Sequence, residues 1–164
     1  MDGNVIRKWS ELRGLPVTIP SQGREIGVVE NFFFKAGTSA IDSLLVQTGL
    51  QGYRAVPASG ISTIEKDKIT LPHQQVLLRA IPVLPTGSEL LDYKVVGESG
   101  TEVGKVGEIW IAVNPPLTLR VAAIELTQPA NKQSGRAKRI TDEEILRYQN
   151  ETIVIDDQDA RRLR

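Results

Sequence analysis

The chain has one histidine, His73, and no cysteine. A Ser-His-Asp relay would have to use His73. That residue follows Leu71-Pro72 at the end of a candidate strand, and we read it as a solvated turn residue. One imidazole without a thiolate also falls short of a zinc ligand set. The run Gly100-Thr101-Glu102-Val103-Gly104-Lys105-Val106 resembles a phosphate loop only superficially. It has three residues rather than four between its glycines, and no Ser or Thr after the lysine. Asp156, Asp157 and Asp159 bring carboxylates together but lack the glycine and terminal glutamate of a calcium loop. We read them as a solvated segment partly balanced by Arg161, Arg162 and Arg164. Asn150-Glu151-Thr152 fits the glycosylation pattern only formally, because no secretion signal precedes it. The expectation is therefore no catalytic residue, no metal ligand and no cofactor.

Two features suit binding rather than catalysis. The first is the loop Lys132-Gln133-Ser134-Gly135-Arg136-Ala137-Lys138-Arg139, four cations without an acid. Lys132, Arg136, Lys138 and Arg139 are suited to phosphates or an acidic protein surface, although the run lacks the aromatics expected of a single-strand binder. The second is the aromatic pair Phe33 and Trp110, whose side chains need a covered neighbour. We expect the two halves of the molecule to supply it to each other, ahead of an external partner.

The elements that carry these residues come in two sets. Gly23-Arg24-Glu25-Ile26-Gly27 and Gly100-Thr101-Glu102-Val103-Gly104 share the pattern Gly-x-Glu-(Ile/Val)-Gly at an offset of 77 residues. At the same offset Phe32-Phe33-Phe34 falls on Ile109-Trp110-Ile111. Leu44 and Val46 match Ile124 and Leu126 at offset 80, and Ile69-Thr70-Leu71 matches Ile153-Val154-Ile155 at offset 84. The added residues fall in segments rich in Pro, Asn and Gly, where a duplicated fold tolerates insertions. The reading is two units, 1–80 and 90–164, joined by a linker over 81–89 containing Pro82, Pro85 and Gly87.

Apolar alternation, β-branched residues and Gly or Pro punctuation predict short strands. In the first unit they run over 15–19, 25–34, 41–47, 53–57 and 68–71, and in the second over 94–97, 102–113, 119–127, 136–140 and 152–155. The box Thr141-Asp142-Glu143-Glu144 predicts a short helix over 142–149. Five or six strands in about 75 residues suggest a small barrel, whose closure would remove sheet edges. Gly23, Gly27, Gly100 and Gly104 are read as structural. Val106 and Ile109 are apolar yet three apart, which requires a bulge between them. Phe32, Phe34, Ile109 and Ile111 then point inward, and Phe33 and Trp110 outward.

Hydrophobic residues make up 40% and charged residues 24%, the profile of a folded protein. Twenty basic residues balance twenty acidic ones, so any basic site must be local. Without an apolar run long enough to span a bilayer or a signal core, the expectation is a soluble cytoplasmic protein.

Each unit resembles a PRC-barrel domain, a module found in the photosynthetic reaction centre H subunit and in a ribosome maturation factor. The first carries the resemblance in Leu12, Gly14 and Val17, in Gly23 to Val29, and in Ala55-Val56-Pro57-Ala58-Ser59. The second keeps Gly100 to Gly104 but has Lys138-Arg139-Ile140-Thr141 where the first has its Val-Pro segment. The resemblance implies two tandem β-barrels that contact larger assemblies, with no catalytic residues to carry over. The expected role is a non-catalytic adaptor or assembly protein bound to a protein partner or multiprotein complex. RNA at the 132–139 loop, or a small molecule between the barrels, are the alternatives, and the oligomeric state is left open.

Overall fold

The structure, a computed structural model, describes residues 5–127 and 138–163. The chain opens with strand β1 (Ile6–Lys8) and a one-turn helix α1 (Trp9–Leu12). A first set of strands comes next: β2 (Pro16–Ile19), β3 (Arg24–Phe34), β4 (Ile41–Thr48), β5 (Gly52–Pro57), β6 (Thr63–Ile64) and β7 (Ile69–Thr70). After helix α2 (Gly87–Leu90) come β8 (Lys94–Gly97), β9 (Glu102–Ala112), β10 (Arg120–Leu126), β11 (Arg139–Thr141), β12 (Ile145–Gln149) and β13 (Thr152–Ile155), then helix α3 (Asp157–Leu163).

The protein is mainly β, and its two sheets have the same topology. Their strand orders are β5-β4-β3-β2-β7-β6 and β11-β10-β9-β8-β13-β12. In both, the first strand pairs in parallel with the last, β2 with β7 and β8 with β13. The long central strands turn from one side of each coiled sheet to the other. Each carries a bulge at the same place, which leaves Glu30 of β3 and Gly107 of β9 without an opposite residue. This is the bulge that the Val106 to Ile109 spacing requires. It re-aims the apolar triplets so that Phe32, Phe34, Ile109 and Ile111 are buried in the core.

The entry segments cross between the units. β1 pairs with β9 of the second sheet, so the first residues of the described chain complete the second barrel. In the opposite sense, Thr86 pairs with Phe33 of β3, and the Phe34 N–H donates to the Pro85 carbonyl at 3.0 Å. The helices do the same. Ser10 of α1 donates through its N–H and Oγ to the Glu108 carboxylate of β9, at 3.3 and 2.6 Å. Ser88 of α2 donates its N–H to Asn31 Oδ1 of β3 at 3.2 Å and accepts from Asn31 Nδ2 at 3.0 Å. A local two-fold relation shows again where β4 and β10 begin: the Ile41 N–H donates to the Leu119 carbonyl, and the Val121 N–H to the Ser39 carbonyl, at 3.0 and 2.9 Å.

The core is continuous across both units. Trp9 meets Phe32 edge-on at 4.9 Å between centroids, and Phe34 lies 6.4 Å from Tyr93 and 6.1 Å from Tyr148 of the second unit. Gly87 makes room for this seam, since a Cβ there would lie 2.3 Å from the Phe32 ring.

One expected element is corrected. The predicted helix over 142–149 is a single 3₁₀ turn, Asp142–Glu144, succeeded by β12. The box does form, with the Thr141 N–H donating to the Glu144 carboxylate at 2.9 Å. The next residues enter a hairpin whose turn, Asn150-Glu151, has φ of +46° and +60°. Two left-handed residues in succession match the right-handed twist of paired strands, so the hairpin wins over helix propagation. The end of the segment over 81–89 leads into α2, which opens with a full capping box between Thr86 and Glu89. Its Ser88-Glu89-Leu90 repeats Ser10-Glu11-Leu12 of α1.

Candidate interaction site

Trp110 occupies the middle of β9, where its neighbours across the sheet are Lys8 of β1 on one side and Ala123 of β10 on the other. Its indole N–H donates to Glu125 Oε2 at 2.6 Å. The same oxygen accepts from Arg139 Nη2 at 3.1 Å. The Arg139 guanidinium carbon stands 4.4 Å from the indole centroid and the Lys8 ammonium 5.4 Å, so two cations meet one π face system. Each such contact contributes about 0.5–1 kcal/mol at an accessible site. Glu125 fixes both the indole and the guanidinium, because a buried-side carboxylate accepting two donors holds them in one geometry. Trp110 remains partly exposed, and Lys8 forms no ion pair among the described residues.

Phe33 stands at the matching position of β3 and is buried, 4% exposed. Its sheet neighbours are Ser43 and Thr86. The two aromatics therefore sit on the outer faces of their own sheets. Trp110 stacks with Lys8 and Arg139 rather than lying between the barrels, because β1 brings Lys8 alongside it.

The basic loop is only partly within the described residues; Lys132 and Arg136 lie outside them. Lys138 donates to the Leu163 carbonyl, and Arg139 is held by Glu125. The two described cations thus serve different neighbours. Gly23 and Gly100 have φ of +67° and +94°, a backbone region that favours glycine. At Gly27 a Cβ would lie 2.4 Å from the Gln47 carbonyl oxygen, so the strand crossing itself demands glycine there. Gly104 is less constrained, with its nearest neighbour, Leu126, at 3.7 Å.

The remaining sequence candidates are absorbed by local structure. His73 is exposed at the start of a 3₁₀ turn. Asp157 accepts from the Ser99 N–H and Oγ at 2.9 and 3.0 Å, tying α3 to the turn between β8 and β9. Those bonds hold its carboxyl below the usual carboxylate range. Asp156 accepts from the Gln158 N–H, and Asp159 pairs with Arg162. Tyr148 was not singled out by sequence. Its hydroxyl is buried with no hydrogen-bond partner among the described residues, and burial, with a smaller push from Asp142, raises its pKa strongly. A small concavity between the units, about 230 Å³, is lined by Lys35, Asp42, Ser59 and Leu117 among others.

Residues 5–75 match the family model of the PRC-barrel domain. The chain carries a PRC-barrel domain. No curated protein sequence matches it. The second sheet repeats the strand order of the matched one, so the fold is two β-barrel-like units in tandem. PRC-barrel domains are generally non-catalytic and often take part in protein interaction or assembly. Among the described residues no helix is long and apolar enough to cross a membrane.

Proposed function

We propose that this tandem PRC-barrel protein is a non-catalytic, cytoplasmic adaptor that binds a protein partner through the outer face of its second barrel. The observation that carries this reading is Trp110, partly exposed in the middle of a sheet face and held by Glu125, Arg139 and Lys8. A rigid aromatic beside an arginine is the side-chain chemistry that dominates protein interfaces. The units 1–80 and 90–164 act in this reading as one body, since their entry segments are exchanged.

The test is crosslinked affinity capture of the tagged protein from its native lysate, with and without nuclease. The expected outcome is a defined protein complex that survives nuclease and is lost with Trp110→Ala. Partners released by nuclease would replace this reading with RNA binding, and a bare bait would refute it.

A further inference from the structure

The equivalent faces of the two barrels differ in what lies on them. In the first, Leu78 pairs with Ala55 at the outer edge of β5, with both N–H to carbonyl bonds made, at 2.9 and 2.8 Å. The chain next joins the sheet at Thr86, on the side of β3 away from β4. Residues 79–84 therefore traverse β5, β4 and β3. The inner face is filled by the core, and Ile81 and Val83 are 42% and 101% exposed, so the crossing is over the outer face. Phe33, Ser43 and Ala55, which face outward between core-facing neighbours, are 4%, 2% and 1% exposed as a result.

The second barrel has the same three strands in the same order, but among the described residues nothing pairs with the outer edge of β11. Trp110 stands for Phe33, Ala123 for Ser43, and Arg139 for Ala55. Lys8 of β1 takes the place of Thr86 beside the aromatic. Two neutral positions of the covered face, Thr86 and Ala55, are thus cationic on the open one; Asn31 and Leu45 give way to Glu108 and Glu125, whose carboxylates are already engaged by Ser10 and by Trp110 and Arg139. An unpaired strand edge is a template for an added strand, and peptide recognition by strand addition draws affinity from backbone bonds and specificity from side-chain sites.

Building on the adaptor reading, we propose that the Trp110 face docks an extended acidic segment of a partner protein. The segment pairs with the edge of β11 and crosses β10 and β9 as residues 79–84 cross β4 and β3. An apolar side chain of the segment covers the indole, while its carboxylates meet Lys8 and the free guanidinium nitrogens of Arg139. The strap Ala80-Ile81-Pro82-Val83-Leu84, apolar once past Arg79, fits the neutral face for the same reason that an acidic one fits this face.

The test is selection of a displayed random dodecapeptide library on the full-length protein. Enriched peptides should be rich in Asp and Glu with an apolar or proline centre, and their binding should weaken steeply as salt rises. Affinity for them should fall at least tenfold in Lys8→Glu/Arg139→Glu and in Trp110→Ala, and stay within twofold in Arg24→Glu, a cation away from this face. Far-UV circular dichroism and melting of each variant separate loss of binding from loss of fold; if Arg139→Glu unfolds, Lys8→Glu alone must still give the loss. Enrichment of neutral or basic peptides, no enrichment, or binding indifferent to the double substitution overturns the proposal. The adaptor reading fails separately. If lysate capture returns a nuclease-resistant complex that Lys8→Glu/Arg139→Glu leaves intact, the partner is real and this face is not its site; an empty capture removes both.

Discussion

Replacing Gly87 by alanine tests whether the crossing of the two units depends on close packing at one point. The added Cβ would lie 2.3, 2.7 and 2.8 Å from three atoms of the Phe32 ring. That ring cannot retreat freely, because Phe32 is fully buried and Trp9 abuts it at 4.9 Å between centroids. Overpacking of this kind costs about 1–3 kcal/mol, and three atoms in conflict put it at the upper end. Alanine regains up to ~1 kcal/mol of helix propensity over glycine. The net loss should be about 2 kcal/mol, or a fall in Tm of about 4–8 °C for a chain of this size. Denaturant melts of wild type, Gly87→Ala, Phe32→Leu and the double variant make a cycle. With the ring gone, Gly87→Ala should cost no more than a few tenths, a coupling of about 1–2 kcal/mol. Strict additivity, or a neutral Gly87→Ala, would refute the argument.

Tyr148→Phe removes a buried hydroxyl that has no partner among the described residues; stability should rise by about 1 kcal/mol, read from chemical denaturation. Asp157 has a lowered folded-state pKa, so its contribution is complete above the unfolded value near ~3.9 and is lost as pH falls through the folded one. Asp157→Asn should therefore lower Tm at neutral pH and converge with wild type in acid; parallel curves down to pH 2 would show that the carboxylate is idle. In Trp9→Phe the remaining indole, Trp110, lies beside two cations. Iodide should quench its fluorescence more strongly than caesium does, and the difference should shrink in Lys8→Ala.

What the sequence reveals here depends on how far apart the interacting residues are. The duplication is legible because Gly-x-Glu-(Ile/Val)-Gly and the apolar triplets recur in register, and the Val106 to Ile109 spacing announces its bulge within four residues. β1 is not legible, since Ile6-Arg7-Lys8 has no period of its own and is a strand only because β9 offers it an edge. The capping box at Thr141 reads correctly as a local signal, yet the Asn150-Glu151 turn and pairing with β13 make a strand of the residues after it. The proline-rich surroundings of α2 mask a box of the same kind between Thr86 and Glu89, whose Thr-x-x-Glu spacing is that of Thr141 and Glu144. At the site, Trp110 and Arg139 are visible as residue types, but their convergence on Glu125 is a product of strand register.

The exchanged entry strand also sets an order of events during synthesis. β1 leaves the ribosome early, whereas its partner on β9 is translated about 100 residues later, an interval on the order of 5–20 s at ordinary elongation rates. During that interval β1 has no sheet to join and Ser10 has no Glu108 to bind, although Thr86 and α2 reach β3 before β9 is made. The nascent first unit thus closes its own β3 edge early but carries β1 and α1 without their partners until the second central strand is made. The exchange is completed only when the second central strand emerges to receive β1.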